Sequence, residues 1–304
     1  MNHKSGFVVI LGLPNCGKST LLNAILGQKL SIINNKPQTT RKKIQGILNS
    51  ENYQVIFLDT PGILEPAYLL QEKMMAEVED SLEAIDLVLL VIDVKNDPIG
   101  MKLLEQEFVK NVLSSGRKIL TVLNKIDLVP KDEIENQAKS LKKISGIESI
   151  VGVSATLNFN IELLKDSIIE LLPEGPKYFP GDQITELNER FFVSELIREK
   201  ILDLYREEIP YSCEVIIREF KEREKGKDYI SAEIIIEKES QKPIIIGKNG
   251  TAIKKLGEAA RESIEEFLER KVFLELHVKV NPKWRSDEKF LKILGYKSST
   301  KSEK

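Results

Sequence analysis

The sequence predicts an α/β domain, a mostly parallel sheet flanked by helices, followed by a smaller α+β domain. Three observations carry this. Near-continuous apolar runs alternate with helix-length segments up to about residue 172, a stretch rich in proline and glycine follows, and alternating strands surround a helix after it. The chain has 304 residues, of which 41 % are apolar and 30 % charged, with a formal net charge of −2. That composition supports packed cores and excludes disorder as the main state. At that near-neutral charge, whole-chain electrostatics do not by themselves predict a polyanionic partner. No apolar run approaches the roughly 20 residues that span a bilayer. Met1–Ser5 forms no apolar leader, so a cytoplasmic location is expected. Cys16 and Cys213 lie far apart without metal-ligand spacing, which suits a reducing compartment.

The expected strands of the first domain are Phe7–Leu11, Val55–Leu58, Leu87–Ile92, Ile119–Leu123 and Ile150–Val153. Such runs are what strands buried on both faces look like. Helices are expected at Ser19–Leu26, Gln71–Leu82, Met101–Leu113 and Ile161–Leu172, and an edge strand at Lys42–Leu48, hairpinned to the strand before Asp59. The segment Pro173–Gly181 holds three prolines and two glycines, which continue neither a helix nor a central strand. The expected division is therefore a first domain over 1–173, a linker over 174–182, a second domain over 183–296 and a disordered tail over 297–304.

In the second domain, Val193, Leu196, Ile197, Ile201 and Leu204 share one helical face. Strands are expected at Cys213–Phe220 and Tyr229–Glu237, with a charged hairpin between them. A short apolar segment, Pro243–Ile246, precedes a helix carrying Ile253, Leu256, Ala260, Ile264 and Phe267, and the last strand alternates Val272, Leu274, Leu276, Val278 and Val280.

Gly12-Leu13-Pro14-Asn15-Cys16-Gly17-Lys18-Ser19 has the form GxxxxGK[ST], between an apolar strand and a helix. Glycines there let backbone N–H groups curl around phosphate oxygens, and the helix start adds partial positive charge. Lys18 is expected to reach the β and γ phosphates and Ser19 to ligate Mg²⁺. Cys16 fills the loop, since no base partner is evident. Asn124-Lys125-Ile126-Asp127 follows a strand. The Asp127 carboxylate would accept two hydrogen bonds from guanine and find no such donor pair on adenine, which favours GTP over ATP. Asn124 would tie this loop to the phosphate loop, and the stem of Lys125 would cover the base. Asp59-Thr60-Pro61-Gly62 follows another strand: Asp59 would hold Mg²⁺ and the Gly62 N–H would face the γ-phosphate. In Pro37-Gln38-Thr39-Thr40-Arg41, Thr40 rather than Thr39 is expected to complete the metal shell when the γ-phosphate is present. Ser154-Ala155-Thr156 is placed to touch the guanine edge.

This ordered set resembles the translation-factor-related GTPases, and Pro-Asn-x-Gly-Lys-Ser-Thr, ending at Thr20, with Gln-Thr-Thr-Arg is similar to the Era group. The resemblance implies a nucleotide site over Gly12–Thr20, Asp59–Gly62, Asn124, Lys125, Asp127, Ser154 and Ala155, with Lys18, Thr40 and Gly62 catalytic. It suggests a monovalent cation, K⁺, near Asn15. Ile63 stands where Ras-like GTPases carry a water-orienting glutamine, so intrinsic hydrolysis should be slow.

Ile246-Gly247-Lys248-Asn249-Gly250 resembles the GxxG loop of a KH domain, and the element order α-β-β-α-α-β resembles its type II form. Glycines there let backbone N–H groups approach the sugar-phosphate chain of single-stranded nucleic acid. Lys254 and Lys255 flank it. Residues 182–304 hold equal numbers of basic and acidic residues, and the basic excess is local to Lys238–Arg261 and Arg270–Lys304. The resemblance implies GTP hydrolysis, binding near the 3′ end of small-subunit ribosomal RNA and a role in assembling the small ribosomal subunit. It also implies a monomer with peripheral contact to the inner membrane. Two rival readings remain: a GTP-switched signalling protein whose KH-like domain binds protein, and an ATP-dependent enzyme. Trp284 would either stack on a base or pack the last helix onto the sheet, and His277 would be exposed.

Overall fold

The computed structural model describes residues 3–147 and 149–297. The chain divides into two compact units, residues 1–65 with 74–186, and residues 66–73 with 187–304. The tail expected at 297–304 lies outside the described residues beyond Lys297.

In the first unit, six strands among the described residues form one sheet in the order β2-β3-β1-β4-β5-β6. They are β1 (Lys4–Gly12), β2 (Ile44–Asn49), β3 (Tyr53–Asp59), β4 (Leu87–Asp93), β5 (Ile119–Asn124) and β6 (Ser149–Val153). Only β2 runs antiparallel, paired to β3. Every residue of β4 and β5 is buried, as a parallel sheet covered on both faces requires. The registers level the C-terminal strand ends: Ile10 lies opposite Asp59, Gly12 opposite Val91 and Asp93 opposite Asn124. All five parallel strands therefore deliver their following loops to one edge, where open α/β sheets place ligands.

Helices α1 (Lys18–Leu26), α2 (Leu69–Asp80), α3 (Met101–Leu104), α4 (Glu107–Ser114), α5 (Lys131–Leu141) and α6 (Ile161–Leu171) join them. Two differ from expectation. The single helix read over Met101–Leu113 is broken, because Gln106 adopts an extended backbone (ψ 126°) and starts α4 afresh. Helix α5 was not anticipated, since only Gln137 and Leu141 are buried and its apolar stripe is correspondingly thin. Its local signals are Pro130 at the N-cap and Asp132 and Glu133 in the first turn.

The stretch read as a linker is strapped to the first unit. Gln54, fully buried, accepts the backbone N–H groups of Tyr178 (2.6 Å) and Phe179 (2.9 Å), and its Nε2 donates to Phe179 O. Further along, Ile47 N donates to Ile184 O at 2.7 Å and the Thr185 hydroxyl to Gln45 O at 2.7 Å. The strap thus lies along the edge strand β2, supplying partners for main-chain groups that an edge otherwise leaves to solvent.

The second unit contains α7 (Glu189–Leu204), α8 (Ile209–Ser212), β7 (Glu214–Lys221), β8 (Asp228–Ile236), α9 (Lys242–Ile246), α10 (Thr251–Leu268), β9 (Val272–Val280) and α11 (Glu288–Ile293). Its sheet has the order β7-β8-β9, antiparallel then parallel. The apolar segment Pro243–Ile246 is helical, with its proline at the helix start where the missing N–H costs nothing. The core joins Val193, Ile197 and Ile201 of α7 to Ile230, Ala232 and Ile234 of β8 and to Leu256, Ala260 and Ile264 of α10. Trp284 is fully buried and its indole donates to Ser212 O at 2.9 Å, so it packs the core and cannot stack on a base. His277 is exposed beside Glu275.

Candidate functional site

The loop between β1 and α1 closes over a cavity of about 390 Å³. Its conformation depends on positive φ at Asn15 (63°) and Gly17 (95°). A β-carbon at Gly17 would lie 2.3 Å from Asn124 Nδ2, and one at Gly62 would lie 2.6 Å from Pro14 N. Both glycines are therefore required by close approach between loops that follow different strands. Pro14, Asn15, Gly17, Lys18, Ser19, Thr20, Thr40, Gly62, Lys125 and Thr156 line the cavity.

Lys18 is 6 % exposed, and its ammonium donates to Gly12 O (3.2 Å) and Leu13 O (3.1 Å). Beside it, the Ser19 hydroxyl donates to Asp59 Oδ2 at 2.7 Å and lies 2.9 Å from Thr40 Oγ1. The neighbouring Thr39 also lines the cavity, but its hydroxyl donates to Lys36 O at 2.6 Å. Asp59 is fully buried, and among the described residues its Oδ1 has no hydrogen-bond partner. Burial pushes its carboxyl above the ordinary range, against the pull of the Lys18 ammonium and the hydroxyls of Ser19, Ser31 and Thr40. Two hydroxyls and an under-satisfied carboxylate form a set of hard oxygen donors, the chemistry Mg²⁺ prefers alongside phosphate oxygens. The residues present thus fit that ion, and Ser19, Thr40 and Asp59 are the ones that would hold it. A bound Mg²⁺ would supply charge neutralisation at the β and γ phosphates.

Thr60 points inward, its hydroxyl donating to Ile10 O at 2.7 Å, and Ile63 N donates to Gly12 O while its side chain is buried in the core. Cys16 is buried, which pushes its thiol up despite the nearby Lys18 ammonium, so it is a poor nucleophile. Asn124 Nδ2 donates to Cys16 O at 2.9 Å, while its Oδ1 accepts from Lys125 N (2.9 Å) and Ala155 N (3.2 Å). One amide side chain therefore joins the phosphate loop, its own loop and the loop after β6. Ser154 is buried and its Oγ accepts from Leu157 N. Asp127 sits exposed on the short 3₁₀ turn Ile126–Leu128, outside the cavity wall. Gly12, Leu13, Cys16, Asp59, Thr60, Pro61, Asn124, Ser154 and Ala155 are not among the residues that line this cavity, and Leu13 and Cys16 line a separate cavity with Asp93.

Sequence reasoning missed Ile32, Ile33, Asn34, Asn35 and Gln38, which also line the cavity. It also missed Asp93, whose Oδ2 accepts from Lys125 Nζ at 2.6 Å. Its one local signal is its place as the last residue of β4, level with Asn124.

In the second unit, the tetrad lies between α9 and α10. Gly247 (φ 74°), Asn249 (φ 53°) and Gly250 (φ 76°) all have positive φ. A β-carbon at Gly247 would sit 2.6 Å from Ala252 Cβ, so the turn admits no side chain there. Lys248, Asn249, Lys254 and Lys255 are exposed, Ile246 is half-buried, and Ile244 is 51 % exposed beside them. Backbone N–H groups at the start of an 18-residue helix, ringed by lysines and an exposed isoleucine, suit a phosphate with an apolar base next to it.

Comparison with known proteins agrees with both halves. A family model described as 50S ribosome-binding GTPase matches residues 7–125, and a KH domain model matches residues 208–285. GTPase Era of Clostridium botulinum (strain 657 / Type Ba4) is 46 % identical over 295 residues, covering 97 % of this chain and 99 % of the relative. The chloroplastic GTPase ERA1 of Zea mays is 45 % identical over 296 residues, covering 97 % of this chain and 71 % of the relative. A solved structure of Era with MgGDPNP and nucleotides 1506–1542 of 16S ribosomal RNA superposes with a TM-score of 0.91 at 40 % identity, over 97 % of this chain and 99 % of that one. A substituted Era from Aquifex aeolicus bound to GDP and AlF₄⁻ superposes with a TM-score of 0.90 at 40 % identity, over 96 % and 99 %. With both of its domains matched in order and nearly all of its length aligned, the chain belongs to the Era family of GTPases.

Proposed function

We propose that this chain hydrolyses GTP as a switch and that its KH domain takes the 3′ region of small-subunit ribosomal RNA during assembly of the small ribosomal subunit. The observation that carries the reading is the Ser19–Thr40–Asp59 oxygen cluster beside Lys18, because it draws one residue from the phosphate loop, one from the segment before β2 and one from the end of β3.

On binding GTP, the Lys18 ammonium exchanges its carbonyl partners for phosphate oxygens and offsets their charge. The Gly62 N–H, held against Pro14, meets the γ-phosphate. Thr40 keeps the 32–40 segment over the cavity while the γ-phosphate is present and releases it afterwards. Asp127 reads the guanine edge, with the Lys125 stem over the base. The Ile63 side chain is buried and has no hydrogen-bonding group, so it orients no attacking water and the unassisted rate is slow. A potassium ion at Asn15 is part of the proposal, testable as turnover in K⁺ against Na⁺. So are a monomeric state, cytoplasmic residence and peripheral contact with the inner membrane. Among the described residues, no helix is long and apolar enough to cross a membrane.

The test is a fluorescence-anisotropy titration of a single-stranded RNA carrying the 3′-terminal segment of small-subunit ribosomal RNA. The protein is loaded with GDP or with a non-hydrolysable GTP analogue. The GTP-like form is expected to bind more tightly. Equal affinities would remove the switch, and an absence of binding by both forms would leave the KH domain as a protein-binding module.

A further inference from the structure

Asp93 is 6 % exposed and closes β4. Its Oδ1 accepts the backbone N–H groups of Lys95 (3.0 Å) and Asn96 (3.1 Å), shaping the turn that follows. Its Oδ2 accepts from Asn96 Nδ2 at 2.7 Å and from Lys125 Nζ at 2.6 Å. Lys125 has φ 65°, a backbone region in which a long side chain persists only when its surroundings hold it. The same ammonium donates to Asn15 O at 2.8 Å. Asn15, also at positive φ, donates from Nδ2 to Asn35 O at 2.6 Å. A chain of contacts therefore runs from the end of β4 through the base-reading loop and the phosphate loop to the segment before β2.

We propose that Asp93 is a positioning residue for nucleotide binding: it holds Lys125 Nζ against Asn15 O, so that the base-reading and phosphate loops form one pocket before guanine nucleotide arrives. An ammonium on a four-carbon stem is mobile and strongly hydrated when unanchored, and each new nucleotide would then have to order it. A buried carboxylate already fixed by three other hydrogen bonds removes most of that cost. Burial by itself would push the Asp93 carboxyl up, but the hydrogen bonds from Lys125 and Asn96, together with the Lys125 charge, hold it below the ordinary range. It is therefore ionised at neutral pH.

The inference rests on Lys125 belonging to the nucleotide pocket, and the experiment separates the two. Release of a fluorescent GDP analogue from the Mg²⁺-loaded full chain is followed by stopped flow in the unsubstituted protein, Asp93→Asn, Lys125→Ala and the double variant. Asp93→Asn keeps the oxygen that closes the turn and loses the charge. It is expected to speed release about tenfold, the loss of one charge-assisted hydrogen bond. In the Lys125→Ala background the same change is expected to add less than about twofold, because the group through which Asp93 acts is gone. Release within about twofold of the unsubstituted rate, or an undiminished increment in the Lys125→Ala background, overturns the proposal. If Lys125→Ala speeds release and Asp93→Asn does not, only the role of Asp93 falls. If Lys125→Ala has no effect, the pocket assignment falls with it. Should Asp93→Asn fail to fold, Asp93→Ser, which also offers a turn-closing oxygen, is read by the same criteria.

Discussion

The chain carries two glycine-bearing turns at helix starts, and they are built in opposite ways. The Gly12–Ser19 loop is enclosed: its backbone carbonyls and its Ser19 hydroxyl are tied to Asn124, Lys125, Asp59 and Thr40, all distant in sequence. The Gly247–Gly250 turn is exposed and held locally, by Gly250 N to Gly247 O at 3.2 Å and the Thr251 hydroxyl to Lys248 O at 2.9 Å. A compact triphosphate is best held by an ordered, water-poor pocket, whereas a flexible strand needs a surface it can reach. Precision at the first turn comes from tertiary contacts. At the second it comes from backbone conformation and local contacts.

If enclosure is what gives the first turn its strength, one buried charge there should matter most. Lys18→Met, a change of similar volume, is expected to weaken GTP binding by about 100-fold or more, since it removes charge-assisted bonds in a buried setting. Isothermal titration checks it, and a loss under tenfold would break the comparison. Ile63→Ala sharpens it from the other side. The side chain is 2 % exposed in the core, so truncation should cost about 2–5 kcal/mol in denaturant unfolding. Turnover at saturating GTP should stay near that of the unsubstituted protein, and a loss beyond about a hundredfold would give Ile63 a chemical role.

At the exposed turn, Lys248→Asp with Asn249→Asp is expected to weaken RNA binding by tenfold or more while leaving GTP affinity unchanged. These positions test the surface more cleanly than Gly247, where any side chain collides with Ala252. The smallest expected effect concerns pH. The folded-state value of Asp93 is depressed, so its stabilisation is present above the unfolded value, near ~3.9, and is lost as pH falls through the folded one. The stability gap between the unsubstituted protein and Asp93→Asn should therefore hold near neutrality and close below about pH 4. Parallel denaturant curves across that range would measure it.

The same contrast explains what could be read in advance. The phosphate loop, the tetrad and the buried strands are local features, written as glycine spacing and as unbroken apolar runs. Helix α5 escaped because it buries so little, and the break at Gln106 because its neighbours on both sides are helix formers. Thr39 and Thr40 differ by one residue, and only the loop's path turns one hydroxyl to Lys36 O and the other to Ser19.

By itself the sequence determined the sheet, the order of the two domains and the backbone freedom at Gly17, Gly247 and Gly250, because periodicity and the absence of a β-carbon act at short range. Only the tertiary structure decided that residues 174–186 strap onto the edge strand, that Asp93 grips Lys125, and that Ser19, Thr40 and Asp59 converge. Those outcomes depend on the register that levels the strand ends and brings side chains tens of residues apart within hydrogen-bonding distance.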